Sequence, residues 1–202
     1  MQIGGLERLN MNRYALFSVN ITDSLADFAN ILSSLNWLII ATEKPFQILK
    51  QLGIKVISVA DFVGVEDGYG FPPTLHPRIE YALTSRDAKE RIELVYNIPY
   101  GLELGNDVGG YTLLSLAVKG NRLPVFSYND MREVVNMFTK CGEIPDDKRK
   151  ELINKASFQI AKHYSAVLST TRDDNYGTIL MQKRYRLSNG ENPYQVPADF
   201  MG

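Results

Sequence analysis

Residues 14–59 read YALFSVNITDSLADFANILSSLNWLIIATEKPFQILKQLGIKVISV. Short apolar runs typical of buried strands alternate here with helical spacings of apolar residues. The expected strands are 14–20, 37–42 and 54–59, and the expected helices are 24–35 and 45–52. This β-α-β-α-β alternation predicts right-handed crossovers and a parallel sheet. The fold class expected for the chain is therefore α/β, a parallel sheet flanked by helices.

The remaining sequence continues the pattern less regularly. Further strands are predicted at 94–97 and 123–127, with a slight preference for strand at 178–187. Amphipathic helices are predicted over 129–141 and 145–168, and a charged helical turn at 87–91. The Gly- and Pro-rich segment 61–77 is too long to be a mere connection, and such loops are often functional.

Composition excludes several classes of protein. The 202 residues carry a net charge of -1, so nothing indicates a nucleic acid or an anionic membrane as partner. No apolar run is long enough to span a bilayer, and the cytoplasm is the expected location. One cysteine and two histidines are too few for a disulfide framework or a zinc cluster, so neither metal nor cofactor is expected.

A second informative stretch, NDVGGYTLLSLAVK, covers residues 106–119. The Gly109–Gly110 pair allows close backbone approach, and the start of the helix that follows is a natural seat for an anion or an oxyanion. Thr112 and Lys119 fall on one narrow polar stripe of an otherwise apolar helix. Lys119 then needs a partner, for which Asp107 or a ligand is the obvious candidate. The alternative is an ordinary buried helix whose lysine reaches solvent.

The topology also predicts where a ligand binds. In open parallel sheets ligands bind at the carboxyl ends of the strands. Segments 18–24, 42–45, 61–77 and 97–110 leave those ends, and we expect them to converge on one crevice.

Four segments in order resemble a known family. They are ALFSV at 15–19, TLHP at 74–77, DVGGYTLL at 107–114 together with Lys119, and GENPYQ at 190–195. They are similar to the IMP cyclohydrolase domain of the bifunctional purine biosynthesis enzyme, AICAR transformylase/IMP cyclohydrolase. The resemblance runs from about residue 14 to residue 195. It implies a methylglyoxal-synthase-like three-layer sandwich over residues 14–187, preceded by an extension at 1–13. The tail at 188–202 resembles the start of the family's formyltransferase domain.

The resemblance implies ring closure of an N-formyl aminoimidazole carboxamide ribonucleotide with loss of water, and an enzyme acting on C–N bonds. The catalytic residues that it implies are Lys119, Asp107, Tyr100, Asn97 and Thr74, with Tyr100 displaced by one place from the family's tyrosine. The implied substrate-binding residues are Ser18, Asn20, Thr22, Thr42, Lys44, His76, Gly109, Gly110 and Thr112. A nucleotide-like small molecule is the expected substrate, and a separate formyltransferase and a homodimer are the further partners considered.

The sequence departs from the family at three places. Pro73 stands where the family has a catalytic lysine before Thr-Leu-His-Pro. The first phosphate loop lacks its lysine at 20–23, and the second, at 42–45, lacks both glycines and gains Pro45, which has no N–H to donate. Three alternatives follow: a divergent cyclohydrolase, a paralogue acting on a different substrate in a specialised pathway, with a substrate that lacks the phosphate as one case, and a non-catalytic binding domain.

Overall fold

A computed structural model describes residues 13–20, 23–66, 72–170, 175–187 and 198–201, with side chains as far as residue 183. The chain divides into two compact units, Met1–Ile160 and Ala161–Gly202. Most of the expected N-terminal extension, Thr22, and residues 188–197 of the expected tail lie outside the described residues. The domain limits at 14 and 187 stay predictions.

The first unit is built on a five-stranded parallel sheet. Its strands are β1 (Arg13–Ser18), β2 (Trp37–Ala41), β3 (Ile57–Ser58), β4 (Arg91–Asn97) and β5 (Leu123–Val125). They lie in the order β3-β2-β1-β4-β5, and every pairing is parallel. The predicted α/β class with a parallel sheet is confirmed. In the second unit β6 (Lys183–Leu187) pairs antiparallel with β7 (Ala198–Met201).

The described residues also form seven α-helices. They are α1 (Leu25–Ser34), α2 (Glu43–Gln51), α3 (Val59–Val63), α4 (Pro77–Thr84), α5 (Val108–Lys119), α6 (Tyr128–Cys141) and α7 (Asp146–Thr170). No helix within these ranges is both long and apolar enough to cross a membrane.

Helices cover both faces of the sheet because the central strand is apolar on both sides. Ala15 and Phe17 of β1 belong to one buried cluster, which includes side chains of α1 and α6. Tyr14 and Leu16, which point to the other face, belong to a second cluster with side chains of α3, α4 and α5. The result is three layers, helix–sheet–helix.

Two local predictions were wrong. The predicted third strand, 54–59, is reduced to Ile57–Ser58. Val59 belongs to α3 instead, because the Ser58 hydroxyl accepts the Asp61 N–H at 2.9 Å and starts that helix. The predicted helical turn at 87–91 is absent. A helix lies before it instead, because His76 Nδ1 accepts the Arg78 N–H at 3.1 Å and Pro77 suits the first helical position.

An ion pair between buried Asp130 of α6 and partly exposed Lys155 of α7 makes stability depend on pH. Asp130 is 7% exposed, and its carboxylate accepts from Lys155 Nζ at 2.8 Å and from the Ser127 hydroxyl at 2.7 Å. Burial alone would raise the pKa of Asp130, but these hydrogen bonds outweigh burial and lower the pKa below its usual value. A lowered pKa in the folded state means that the stabilisation is present above the unfolded pKa and is lost as pH falls.

We therefore expect the free energy of unfolding to fall as the medium is acidified below about pH 4, where free carboxyls take up protons. Asp130→Asn should cost about 1 kcal/mol at neutral pH, because it removes a charge-assisted hydrogen bond from Lys155, which keeps only its exposed partner Glu151, and should flatten the acid dependence. Urea unfolding at several pH values measures both effects. Asp147→Asn, an exposed carboxylate of the same helix pair, is the control. An equal pH dependence in Asp130→Asn and the native chain would contradict the assignment.

Candidate active site

A cavity of about 790 Å³ lies at the carboxyl ends of the strands. Its walls come from the segments that follow β1, β2, β3 and β4 and from the head of α5, so the predicted convergence is confirmed. The structure brings nine of the expected site residues to this cavity: Ser18, Asn20, Thr42, Thr74, Asn97, Tyr100, Asp107, Gly109 and Gly110.

Asp107 is held at the head of α5 by two backbone hydrogen bonds. Its Oδ1 accepts the Gly110 N–H at 2.7 Å, which caps the helix, and its Oδ2 accepts the Tyr100 N–H at 3.2 Å. Each carboxylate oxygen has two acceptor positions, so each keeps one for a ligand. The Gly110 N–H, in contrast, is already donated to Asp107, so the expected oxyanion seat cannot use that N–H while the cap is intact.

Asn97 and Thr74 approach the same helix turn from two sides. Asn97, at the end of β4, is 2% exposed, and its Nδ2 donates to the Gly110 carbonyl at 2.9 Å. Thr74 is buried, and its hydroxyl lies 3.8 Å from the position that a Cβ at Gly109 would occupy. This is an ordinary contact distance, so Thr74 and the first turn of α5 lie side by side in this wall of the cavity.

Hydroxyl groups line the strand ends. Thr42, just after β2, donates its hydroxyl to the Phe17 carbonyl at 3.4 Å. Ser18 ends β1, and Ser58 ends β3 and lines the cavity as well. Sequence reasoning missed Ser58, although it lies within the third predicted strand, near its carboxyl end.

The charge of the cavity is the opposite of what a phosphate needs. Glu43, Glu66 and Asp107 line it, and the described lining residues include no lysine, arginine or histidine. These carboxylates are not arranged as a metal site, since the described residues contain no group of three or more suitable ligands. Pro73 forms part of the wall where the family has its lysine. The sequence analysis did not name Glu43 or Glu66 as site residues.

Lys119 does not lie in the cavity, which corrects the expectation that it shares a site with Asp107. It is the last residue of α5, and 12 residues of helix span roughly 18 Å. Its side chain is 62% exposed, and Nζ pairs with Glu80 Oε1 at 2.9 Å. The spacing of polar residues correctly predicted that Lys119 lies on the less buried face of α5. The length of α5, however, places Lys119 at the opposite end of the sheet from Asp107.

Three more expected residues lie outside the cavity lining. Lys44 is exposed on the first turn of α2, and Thr112 is half-buried on α5. His76 caps α4 through its own Nδ1. Thr22 lies outside the described residues.

Fold and cavity together define an α/β domain with a crevice at the carboxyl ends of its strands, lined by polar and apolar side chains. No family model matches the chain. Its sequence is 26% identical over 219 residues to the bifunctional purine biosynthesis protein PurH of Clostridium acetobutylicum, covering 93% of this chain and 44% of that protein. It is 29% identical to the PurH of Leuconostoc mesenteroides, covering 92% of this chain and 43% of that protein.

A solved structure titled "Crystal structure of ForH" matches with a TM-score of 0.66 and 25% identity, covering 78% of this chain and 97% of that one. The predicted resemblance is confirmed: the chain is similar in sequence to the bifunctional purine biosynthesis proteins. It spans about 44% of the length of the curated relatives that it matches.

Proposed function

We propose that the chain is an enzyme that closes an N-formyl aminoimidazole carboxamide to a purine ring with loss of water. The observation that carries this proposal is the grouping of Asp107, Asn97, Thr74 and Tyr100 around one cavity at the head of α5. The relationship to proteins named for purine biosynthesis supports it. At about 790 Å³ the cavity lies within the range usual for small-molecule sites.

The reaction makes one bond and expels water. The carboxamide nitrogen attacks the formyl carbon, and the C–N bond forms while the formyl oxygen becomes a hydroxyl. That oxygen then leaves as water, and the two ring nitrogens each give up one proton. The site must therefore orient the carboxamide, stabilise negative charge on the formyl oxygen and deliver a proton to it.

Asp107 is the residue that we assign to the carboxamide. Both of its oxygens retain an acceptor position, and a carboxylate that accepts the amide N–H orients the nitrogen and assists its deprotonation. Its place on the helix cap fixes it with little freedom to move, which favours a well-defined geometry for attack.

The remaining roles fall on neutral groups. The second N–H of the Asn97 amide and the Thr74 hydroxyl are the donors that we assign to the formyl oxygen. Tyr100, 37% exposed at the cavity wall, is the proton donor to the departing oxygen. No lysine takes part in this assignment, because Pro73 replaces one and Lys119 lies elsewhere.

The second candidate, a substrate without a phosphate, is favoured by the electrostatics. A phosphate dianion beside Glu43, Glu66 and Asp107 would meet only like charges among the described lining residues. The strand-end loops offer hydroxyls at Ser18, Thr42 and Ser58, which suit the hydroxyls of a sugar. We therefore propose the formylated ribonucleoside as a better substrate than the ribonucleotide.

The experiment compares these two substrates with the purified chain by following purine absorbance and product mass. We expect the ribonucleoside to give a kcat/KM at least roughly tenfold higher, because like-charge repulsion of more than about 1.4 kcal/mol opposes the phosphate. Faster closure of the ribonucleotide would support the ring-closing function but contradict the proposal that the ribonucleoside is the better substrate. Closure of neither, with thermal stabilisation by the nucleoside, would replace catalysis by a binding function.

Glu43→Gln sharpens the comparison. Removal of one carboxylate from the lining should lower KM for the ribonucleotide roughly threefold and leave the ribonucleoside unaffected, because only the former carries the repelled charge. Glu143→Gln removes an exposed carboxylate at another cavity and is the matched control. An identical response to both variants would show that net charge and not the lining sets the preference.

A further inference from the structure

A second cavity, of about 400 Å³, lies at the other end of the sheet and is strongly basic. The ends of α4 and α5 and the starts of β4 and β5 surround it. Five cations line it: Arg86, Arg91, Lys119, Arg122 and Arg149. We call this the basic cavity. It is separated from the acidic crevice by the length of α5, roughly 18 Å.

The cations of the basic cavity outnumber the carboxylates that pair with them. Glu93 lies 2.9 Å from Arg91 and 3.6 Å from Arg122, and Glu80 neutralises Lys119. No ion pair with a described carboxylate involves Arg86 or Arg149. Two carboxylates against five cations leave an excess of three positive charges in one concave site.

Two arginines are built into the wall rather than spread over the surface. Arg122 is 4% exposed, and its guanidinium donates to the Leu83 carbonyl at 2.6 Å and to the Ser85 carbonyl at 3.0 Å. Arg91 keeps its Nε buried with no hydrogen-bond partner among the described residues. A buried donor without an acceptor is costly, but Nε is not accessible from the cavity, so an anion there would contact the terminal nitrogens of the guanidinium.

The guanidinium groups also influence one another. Burial lowers the pKa of Arg122, Glu93 opposes this, and the nearby charges of Arg91 and Arg149 lower it further. Cations held this close repel one another. A bound anion would relieve that repulsion and so stabilise the folded protein.

We propose that the basic cavity binds a phosphoryl group, either as inorganic phosphate or as a small phosphate monoester. Arginine forks match the oxygens of a phosphate bidentately, and the cavity is large enough for a phosphosugar. This proposal is independent of the function proposed for the crevice.

The test is calorimetric titration of the full chain with inorganic phosphate and with ribose 5-phosphate. We expect one site per chain. Arg86→Gln and Arg91→Gln should each weaken binding roughly tenfold, the usual effect of losing one charge-assisted hydrogen bond. Lys55→Gln is the matched control, because Lys55 is an exposed cation that lies two residues before β3, three strands away from β4. Thermal melts check that the variants remain folded.

Tighter binding of ribose 5-phosphate than of phosphate identifies a phosphate monoester as the ligand, and equal binding identifies the phosphoryl group alone. Absence of binding at millimolar concentrations of both probes would overturn the proposal. So would unchanged affinity in both arginine variants, which would place the anion elsewhere, or an equal loss in Lys55→Gln, which would make the effect one of net charge.

Discussion

Asp107→Asn is expected to lower kcat/KM for ring closure by roughly 10²- to 10⁴-fold while leaving the fold intact. Asparagine is a good helix cap, so its oxygen can keep the Gly110 N–H. In the native chain the second carboxylate oxygen accepts the Tyr100 N–H and is available to the substrate N–H. The asparagine NH₂ that replaces this oxygen is a donor and can accept neither. The variant therefore removes the proposed base and keeps the helix cap, while the hydrogen bond from the Tyr100 N–H is lost.

Asp107→Ala should lose activity to the same extent and also about 1 kcal/mol of stability, because the cap of α5 is lost. Ser127→Ala is the control for activity: it removes the cap of α6 together with one hydrogen bond to Asp130, and it should lose stability without losing activity because Ser127 does not line the crevice. Steady-state kinetics and urea unfolding separate the two effects. Activity within threefold of the native chain in Asp107→Asn would exclude Asp107 as the group acting on the carboxamide.

Gly120→Ala is expected to be more destabilising than glycine-to-alanine changes at the other described glycines of the helices. Gly120 follows α5, and a Cβ there would overlap the Leu83 carbonyl oxygen and lie 2.8 Å from the Leu83 carbonyl carbon. Neither is the end of a flexible side chain, so the backbone at the end of α4 must move. That carbonyl also accepts from Arg122, so the shift would disturb a buried guanidinium.

We expect a loss of roughly 3 kcal/mol, at the upper end of overpacking penalties, and a fall in Tm of roughly 6–12 °C. Gly109→Ala is the matched control on the same helix, because a Cβ there meets only ordinary contacts at 3.8 and 3.9 Å. Its melting temperature should stay close to that of the native chain. Equal Tm values for the two variants would mean that α4 and α5 do not approach each other as closely as described.

Patterns within one segment predicted most of the sheet. The apolar runs that became β1 and β2 are bounded on both sides by clear turns and helical spacings, so their limits hold to within two residues. The α4 helix was missed because its start depends on a histidine cap and a proline and not on periodicity. The third strand was overextended because Val59 is apolar in either structure, and the Ser58 cap decides for helix.

The residues of the candidate site that were predicted correctly are those whose position depends on the sheet topology alone. The carboxyl ends of parallel strands must meet, which correctly brought Ser18, Thr42, Asn97 and Asp107 to one crevice. Glu66 was not predicted as a site residue, because the residues next to it in the sequence do not show whether its carboxylate faces a cavity or solvent. Lys119 was misplaced because a shared helix face says nothing about distance along the helix axis.

The sequence by itself determined the class of fold, the resemblance to the purine biosynthesis proteins and the place of the head of α5 at the strand-end crevice, because these depend on local periodicity, short motifs and strand order. Only the tertiary structure decided the charge of the two cavities. It gathered Glu43, Glu66 and Asp107 at one end of the sheet and Arg86, Arg91 and Arg122 at the other. The chain as a whole carries a net charge of -1, and this near-neutral total conceals the division. Electrostatic energy depends on distances between side chains remote in sequence, and those distances exist only once the chain has folded.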